Sequence, residues 1–276
     1  MDIVQKTYKE LKFTDDFMFT KVLENNLELC RRVLELILDV KIESVSISER
    51  QKSIEILPES KGIRLDVYVA DEEGTVYNIE MQTKLRKELP KRSRYYQGMI
   101  DLNLIERGAK YNELKRSFVI FICLKDPFEK NRPIYRFENI CIQDKSVLLN
   151  DEAVKIFINA AGDLQGVSEE FASFLKYLKN GVVQNELVQM IENEVEKARK
   201  HEEWEVEYMT LFLRDQENYD RGKEEGREEG REEGRILMLV SLVKDGTLTV
   251  YSAAEKANMS VEAFENVLKE SNNIKS

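Results

Sequence analysis

The chain has 276 residues, 42% hydrophobic and 9% aromatic, enough for one large domain with appendages and ordinary for a globular protein, so the disordered, collagenous and disulfide-scaffold classes are excluded. Against 42 Lys and Arg stand 52 Asp and Glu, a net charge of −10, which taken whole argues against a nucleic-acid partner. The acidity is local, however: residues 185–235 hold 17 acids against 9 bases, which leaves the rest of the chain close to neutral.

The opening Met1-Asp2-Ile3-Val4-Gln5-Lys6 has no apolar core for a secretory signal. The longest apolar run, Phe118 to Leu124, falls far short of the roughly 20 residues that span a bilayer. Cys30, Cys123 and Cys141 are far apart, odd in number and set in apolar sequence, which reads as reduced core thiols rather than disulfides or a metal cluster. A cytoplasmic protein without membrane contact is expected.

In chain order, the apolar spacing Phe19, Val22, Leu23, Leu27, Val33, Leu34, Ile37, Leu38 predicts one or two amphipathic helices over 14–38, with Thr14 as N-cap. Strand signals begin at Ile42, Val45 and Ile47, and Ile63 to Val69 alternates between apolar and polar faces. A second strand is expected over 75–82, a helix over 91–108, a buried strand over 118–124 and another strand over 134–142. From about 150 onward the pattern reads as helical. Within it, Gly222, Gly226, Gly230 and Gly234 recur every four residues among dense Glu/Arg pairs, which predicts a solvated helix. Glycine costs about 1 kcal/mol per helical position relative to alanine, so this helix is marginal alone and serves as a linker or as a close-packed oligomer contact, the linker being preferred. Residues 248–264 read as helix, tight turn, helix. They resemble a DNA-binding helix pair in size, but Glu262, Glu265 and Glu270 leave the second helix poor in bases, so the pair is read as structural. The organisation expected is an α/β domain over 1–165, a helical extension over 166–215, a charged linker over 216–235 and a small helical region over 236–276.

The chemistry concentrates in the hairpin. Between its strands lies Asp71-Glu72-Glu73-Gly74-Thr75, and a three-residue loop with Gly74 in the left-handed conformation is a favoured hairpin turn. If Asp71 pairs with Thr75, Asp66 falls opposite Glu80, Tyr68 opposite Asn78 and Arg64 opposite Gln82. Like charges directly opposed in a sheet are destabilising, and a divalent cation such as Mg2+, which takes carboxylates together with waters and phosphate oxygens, is the strongest compensator. A loop of another length would leave both acids as solvent-facing strand residues. Just beyond, residues 84–94 hold six bases and one acid, a cluster that either neutralises several phosphates or is a solvated loop and helix start; beside the carboxylates, phosphate contact is favoured. Arg86, Lys87, Lys91, Arg92, Arg94 and Tyr96 are the candidate contacts. Other chemistries lack their residues: His201 is the single histidine, on a charged helix, and no Gly-x-x-x-x-Gly-Lys-Ser/Thr loop exists.

The ordered set Arg64-Leu65-Asp66-Val67-Tyr68, a short hairpin, Tyr77-Asn78-Ile79-Glu80-Met81-Gln82-Thr83-Lys84, a helix with Arg94-Tyr95-Tyr96 and the apolar strand 118–124 resembles the PD-(D/E)XK nuclease core. It resembles in particular the bacterial recombination-promoting nuclease/putative transposase family, over roughly residues 10–165, and the acidic helix and C-terminal helical pair are similar to the tails of that family. The resemblance implies a restriction-endonuclease-like α/β core, a mixed central sheet flanked by helices, followed by an α-helical C-terminal region. It implies a magnesium-dependent DNA endonuclease with Asp66, Glu80 and the Met81 carbonyl as metal ligands, and Asp16 of the first helix completing the site. Asp15 and Asp16 also suit a helix start, where acids complement the macrodipole. Gln82 departs from the superfamily's lysine, whose charge orients water and stabilises the phosphate, although glutamine is common in this family; Lys84 is the nearest substitute cation. The alternative is an inactive nuclease fold kept as a DNA-binding or protein-interaction module, assembling through the Gly/Glu/Arg helix.

Overall fold

A computed structural model of the chain describes residues 6–47, 53–54 and 63–273. Most of the N-terminal hexapeptide lies outside them. The chain forms two compact units, Met1–Val206 and Glu207–Ser276.

In the first unit the predicted helical stretch is two helices, α1 (Asp16–Asn25) and α2 (Leu27–Leu38). Asn26 separates them and caps α2, its side-chain oxygen accepting from the Leu29 N–H at 3.0 Å. The cap of α1 is Asp15 rather than Thr14: its carboxylate accepts from the Lys12 N–H at 2.8 Å and so closes the preceding turn. Leu29, Cys30, Val33, Leu34, Ile37 and Leu38 of α2 are buried, the spacing of one helical face.

The strands are β1 (Val45–Ile47), β2 (Ser53–Ile54), β3 (Ile63–Arg64), β4 (Val67–Asp71), β5 (Val76–Gln82), β6 (Ser117–Cys123), β7 (Ile134–Phe137) and β8 (Ala153–Asn159). Six of them form one mixed sheet in the order β1-β4-β5-β6-β8-β7, while β2 and β3 pair separately. At its centre β5, β6 and β8 run parallel, and every residue of β5 and β6 is buried, as expected of parallel strands covered on both faces. The helix α3 (Leu89–Leu104) crosses from β5 to β6 and starts with Pro90 in its first turn, where a missing N–H costs nothing. Its buried residues Leu89, Tyr96, Met99 and Ile100 share a core with Tyr68, Val76, Val119, Phe121 and Phe157. The even-numbered side chains of β5, including Asn78, Glu80 and Gln82, therefore share the face covered by α3.

Two strand predictions change. The single strand expected over 63–69 is broken at Leu65-Asp66, so that β3 and β4 pair with different partners. The strand expected over 134–142 stops at Phe137, and the chain folds back through Asp144, which accepts from the Ser146 N–H and hydroxyl. A strand also replaces expected helix: β8 lies parallel to β6, its Val154, Ile156, Phe157 and Ile158 buried, a short β-branched and aromatic run better suited to a covered strand than to a helix. Helices α4 (Glu169–Asn180) and α5 (Glu186–Ala198) follow and pack on α1 and α2. Cys30 and Cys123 are buried thiols pushed up to about 12 by burial, whereas Cys141, in the fold-back segment, is only partly buried.

Helix α6 (Glu202–Lys244) carries the glycine repeat, which is solvent-exposed throughout as predicted. In the second unit α7 (Val250–Lys256) and α8 (Val261–Asn273) make the expected helical pair, with Ala253, Ala254, Ala257 and Phe264 buried against Leu239 and Val240. Among the described residues no helix is long and apolar enough to cross a membrane.

Candidate active site

The hairpin turn has the expected form. Gly74, at φ +83°, donates to the Asp71 carbonyl at 3.1 Å while the Asp71 N–H donates to Thr75 at 3.0 Å. The Asp71 carboxylate accepts from the Glu73 and Thr75 N–H groups at 3.0 and 2.8 Å, fixing the loop at three residues. The register follows: Tyr68 pairs with Asn78 and Val67 with Ile79. One step further, the Glu80 carboxylate braces the backbone of Asp66, and the Asp66 carboxylate that of Met81. Asp66 N–H donates to Glu80 Oε1 at 3.2 Å, and Met81 N–H donates to Asp66 Oδ2 at 3.2 Å.

Electrostatics make this arrangement costly without a counter-ion. Glu80 is wholly buried, and burial followed by the charge of Asp66 lifts its carboxyl well above the ordinary range. Asp66 is raised to about 7, by burial first and by Asp16 second. Asp16, at the first position of α1, is raised by burial and by Asp15. The structure thus brings Asp16 into the field of Asp66, and Asp66 into that of Glu80. Among the described residues no three His, Cys, Asp or Glu side chains are grouped tightly enough to hold a metal by themselves.

The cation facing these acids was not the expected one. Lys84 stands in an exposed bend beyond the end of β5, so it does not continue the strand face of Gln82. Arg92, expected at a phosphate, instead reaches inward from α3: Nη2 lies 3.0 Å from Glu80 Oε2 and Nη1 3.4 Å from Gln82 Oε1. Tyr96, also expected at a phosphate, is buried and accepts from Arg92 Nε at 2.8 Å. The guanidinium lies over the Tyr96 ring, 4.8 Å from its centroid. Helical phase was the available signal, since Arg92 falls in step with the buried Leu89, Ser93, Tyr96 and Met99. Gln82 completes the group, its Nε2 donating to the Met81 carbonyl at 2.9 Å. Arg86, Lys87, Lys91 and Arg94 are exposed on the bend and first turns of α3.

A mixed sheet that pairs an Asp at the mouth of one strand with a Glu-x-Gln on the next, with a helix crossing to a buried parallel strand, defines a nuclease fold of the PD-(D/E)XK type. The family model described as PD-(D/E)XK nuclease family transposase matches residues 13–229, and the chain belongs to that family. No curated protein and no solved structure matches it. The donor set fits a hard divalent cation: the Asp66 and Glu80 carboxylates and the Met81 carbonyl offer only oxygen, and the two carboxylates are held against their own repulsion.

Proposed function

We propose that the chain is a magnesium-dependent DNA endonuclease that hydrolyses phosphodiester bonds, a cytoplasmic protein of recombination, mobile-element or defence biology. The observation that carries the reading is the pair of a half-buried Asp66 and a buried Glu80, tied across the two strands by the Asp66 N–H to Glu80 and Met81 N–H to Asp66 hydrogen bonds, in a chain of this nuclease family. Asp66, Glu80, the Met81 carbonyl and Asp16 would hold the ion, which when bound supplies an acidified water and charge stabilisation at a phosphate. The chain's own groups do the rest. Gln82 orients by hydrogen bonding from a buried position, and the α3 face excludes bulk water behind Glu80. Arg86, Lys87, Lys91 and Arg94 meet the DNA backbone, so binding weakens steeply with salt despite the acidic total charge. In this reading residues 1–165 carry the nuclease and 166–215 extend it, while the linker at 216–235 and the helices of 236–276 form a tail through which copies associate.

The lack of charge at Gln82, with Lys84 outside the site, favours one rival: an inactive nuclease fold that binds DNA or protein. Supercoiled plasmid incubated at low salt with wild-type and Asp66→Ala protein, in magnesium and in chelator, separates the two. Cleavage that needs both metal and Asp66 supports the nuclease. Absence of cleavage with salt-sensitive DNA binding in both proteins moves the assignment to the binding module.

A further inference from the structure

The positive charge missing from Gln82 is present in the site, on another element. Arg92 sits in the second turn of α3, and its guanidinium bridges Glu80, Gln82 and the Tyr96 hydroxyl. Its side chain is 28% exposed while that of Glu80 is fully buried, so the arginine is the solvent-accessible member of the pair, with Nη1 in a long contact to Gln82 at 3.4 Å. Arginine keeps its charge at any working pH and presents a planar fork suited equally to a carboxylate and a phosphate. Stacking on Tyr96, whose ring packs on Phe121, holds the side chain in place for either partner.

We propose that Arg92 supplies from α3 the cation that β5 lacks, neutralising Glu80 while the site holds no divalent ion and turning to the scissile phosphate once that ion takes over the carboxylate. The proposal rests on the nuclease reading. It has a signature that a purely structural residue lacks. A guanidinium and a divalent ion compete for Glu80, so removing Arg92 strengthens metal binding while it weakens cleavage.

The test is calorimetric titration of Mn2+ alone into the metal-free full chain, wild type against Arg92→Gln and Arg92→Lys, together with plasmid cleavage by the same proteins and by Arg92→Gln/Gln82→Lys. Arg92→Gln is expected to bind Mn2+ about tenfold tighter or more, having lost a positive charge beside the ligands, and to cleave about a hundredfold more slowly. Arg92→Lys keeps the charge and stays within about threefold of wild-type Mn2+ affinity. The double variant moves the charge to the position adjoining Arg92 Nη1, and cleavage returns to within about tenfold of wild type. Unchanged or weaker Mn2+ binding by natively folded Arg92→Gln overturns the counter-ion role, and failure of Gln82→Lys to restore cleavage overturns the phosphate role. If Arg92→Gln does not fold, the double variant, which preserves the site's net charge, decides on cleavage, and Arg92→Met, which keeps the apolar packing on Tyr96 without the charge, decides on metal affinity by the same criterion of about tenfold. A wild-type chain that binds Mn2+ but cleaves nothing refutes the nuclease reading and the phosphate role with it, while the affinity comparison still decides the counter-ion role.

Discussion

Replacing Asp66 by asparagine should make the metal-free protein more stable. The Asp66 carboxyl moves from an ordinary 3.8 to about 7 on folding, by burial and by the charge of Asp16. Its folded value lies above its unfolded one, so between about pH 4 and pH 7 the native state holds a proton that the unfolded chain has lost, and stability falls as pH rises through that window. Above about pH 7 the penalty is complete. At about 1.4 kcal/mol per tenfold, its ceiling is about 4 kcal/mol. The value of about 7 already contains the opposing pull of Arg92 and of the hydrogen bond from Met81; because local relaxation and water penetration soften the cost of a buried charge, about half the ceiling, about 2 kcal/mol, is the working figure. Asparagine cannot ionise, and its side-chain oxygen still accepts from the Met81 N–H. At pH 8 in chelator the variant should therefore melt roughly 4–8 °C higher than wild type, and near pH 4 the two should coincide. Urea denaturation or calorimetry at both pH values measures this. A variant less stable than wild type at pH 8 would refute the reasoning, because it would mean that the ionised Asp66 carboxylate carries no net cost in the fold even with Arg92 engaged on Glu80.

Other outcomes follow from the same structure. Magnesium added at pH 8 should raise the melting temperature of wild type and leave Asp66→Asn nearly unmoved; equal shifts in scanning fluorimetry would place the ion elsewhere. A Cβ on Gly162 would lie 2.7 Å from the Arg132 carbonyl and the Pro133 backbone, so Gly162→Ala should cost about 2 kcal/mol in urea unfolding. A Cβ at Gly226 or Gly230 meets nothing within 4 Å, and alanine there should stabilise α6 by about 1 kcal/mol each. Circular-dichroism melts read that gain, and a loss instead would reveal a partner packed on the glycines. Neutralising Arg86 or Lys91 should reduce the slope of log affinity for DNA against log salt by about 1 each, measured by fluorescence anisotropy.

The hairpin was readable because three local facts coincide: a loop length, a glycine in the left-handed region and the alternation of Ile63 to Val69 leading into the turn. Together they name the residue opposite each carboxylate, and the ladder through Tyr68 and Asn78 agrees. β8 was not readable, because seven residues of Ala-Val-Lys-Ile-Phe-Ile-Asn carry no turn glycine and stand at the front of a helical stretch, and only the covering layers make them a strand. Arg92 escaped for a different reason. It lies among six bases over 84–94, and charge composition treats them alike, whereas the phase of α3 turns Arg92 inward and leaves Lys91 and Arg94 outside. The break at Leu65-Asp66 likewise depends on which strands are available to pair, a fact of the fold and not of the alternation.

The three-residue loop at Glu72-Glu73-Gly74 acts as a gauge for chemistry that happens elsewhere. Glu80 lies six residues along β5 from Gly74, roughly 20 Å of strand, yet its side is decided at the turn. One residue inserted or removed there would slip β5 by a single step against β4 and put every odd-numbered side chain where the even ones now stand. Glu80 and Gln82 would leave the α3 face, and Ile79 and Met81 would confront Arg92. The protein would keep its composition, its helices and its full set of acids, and lose the site. For the site, length at this turn matters more than the identity of Glu72 or Glu73, whose side chains are exposed.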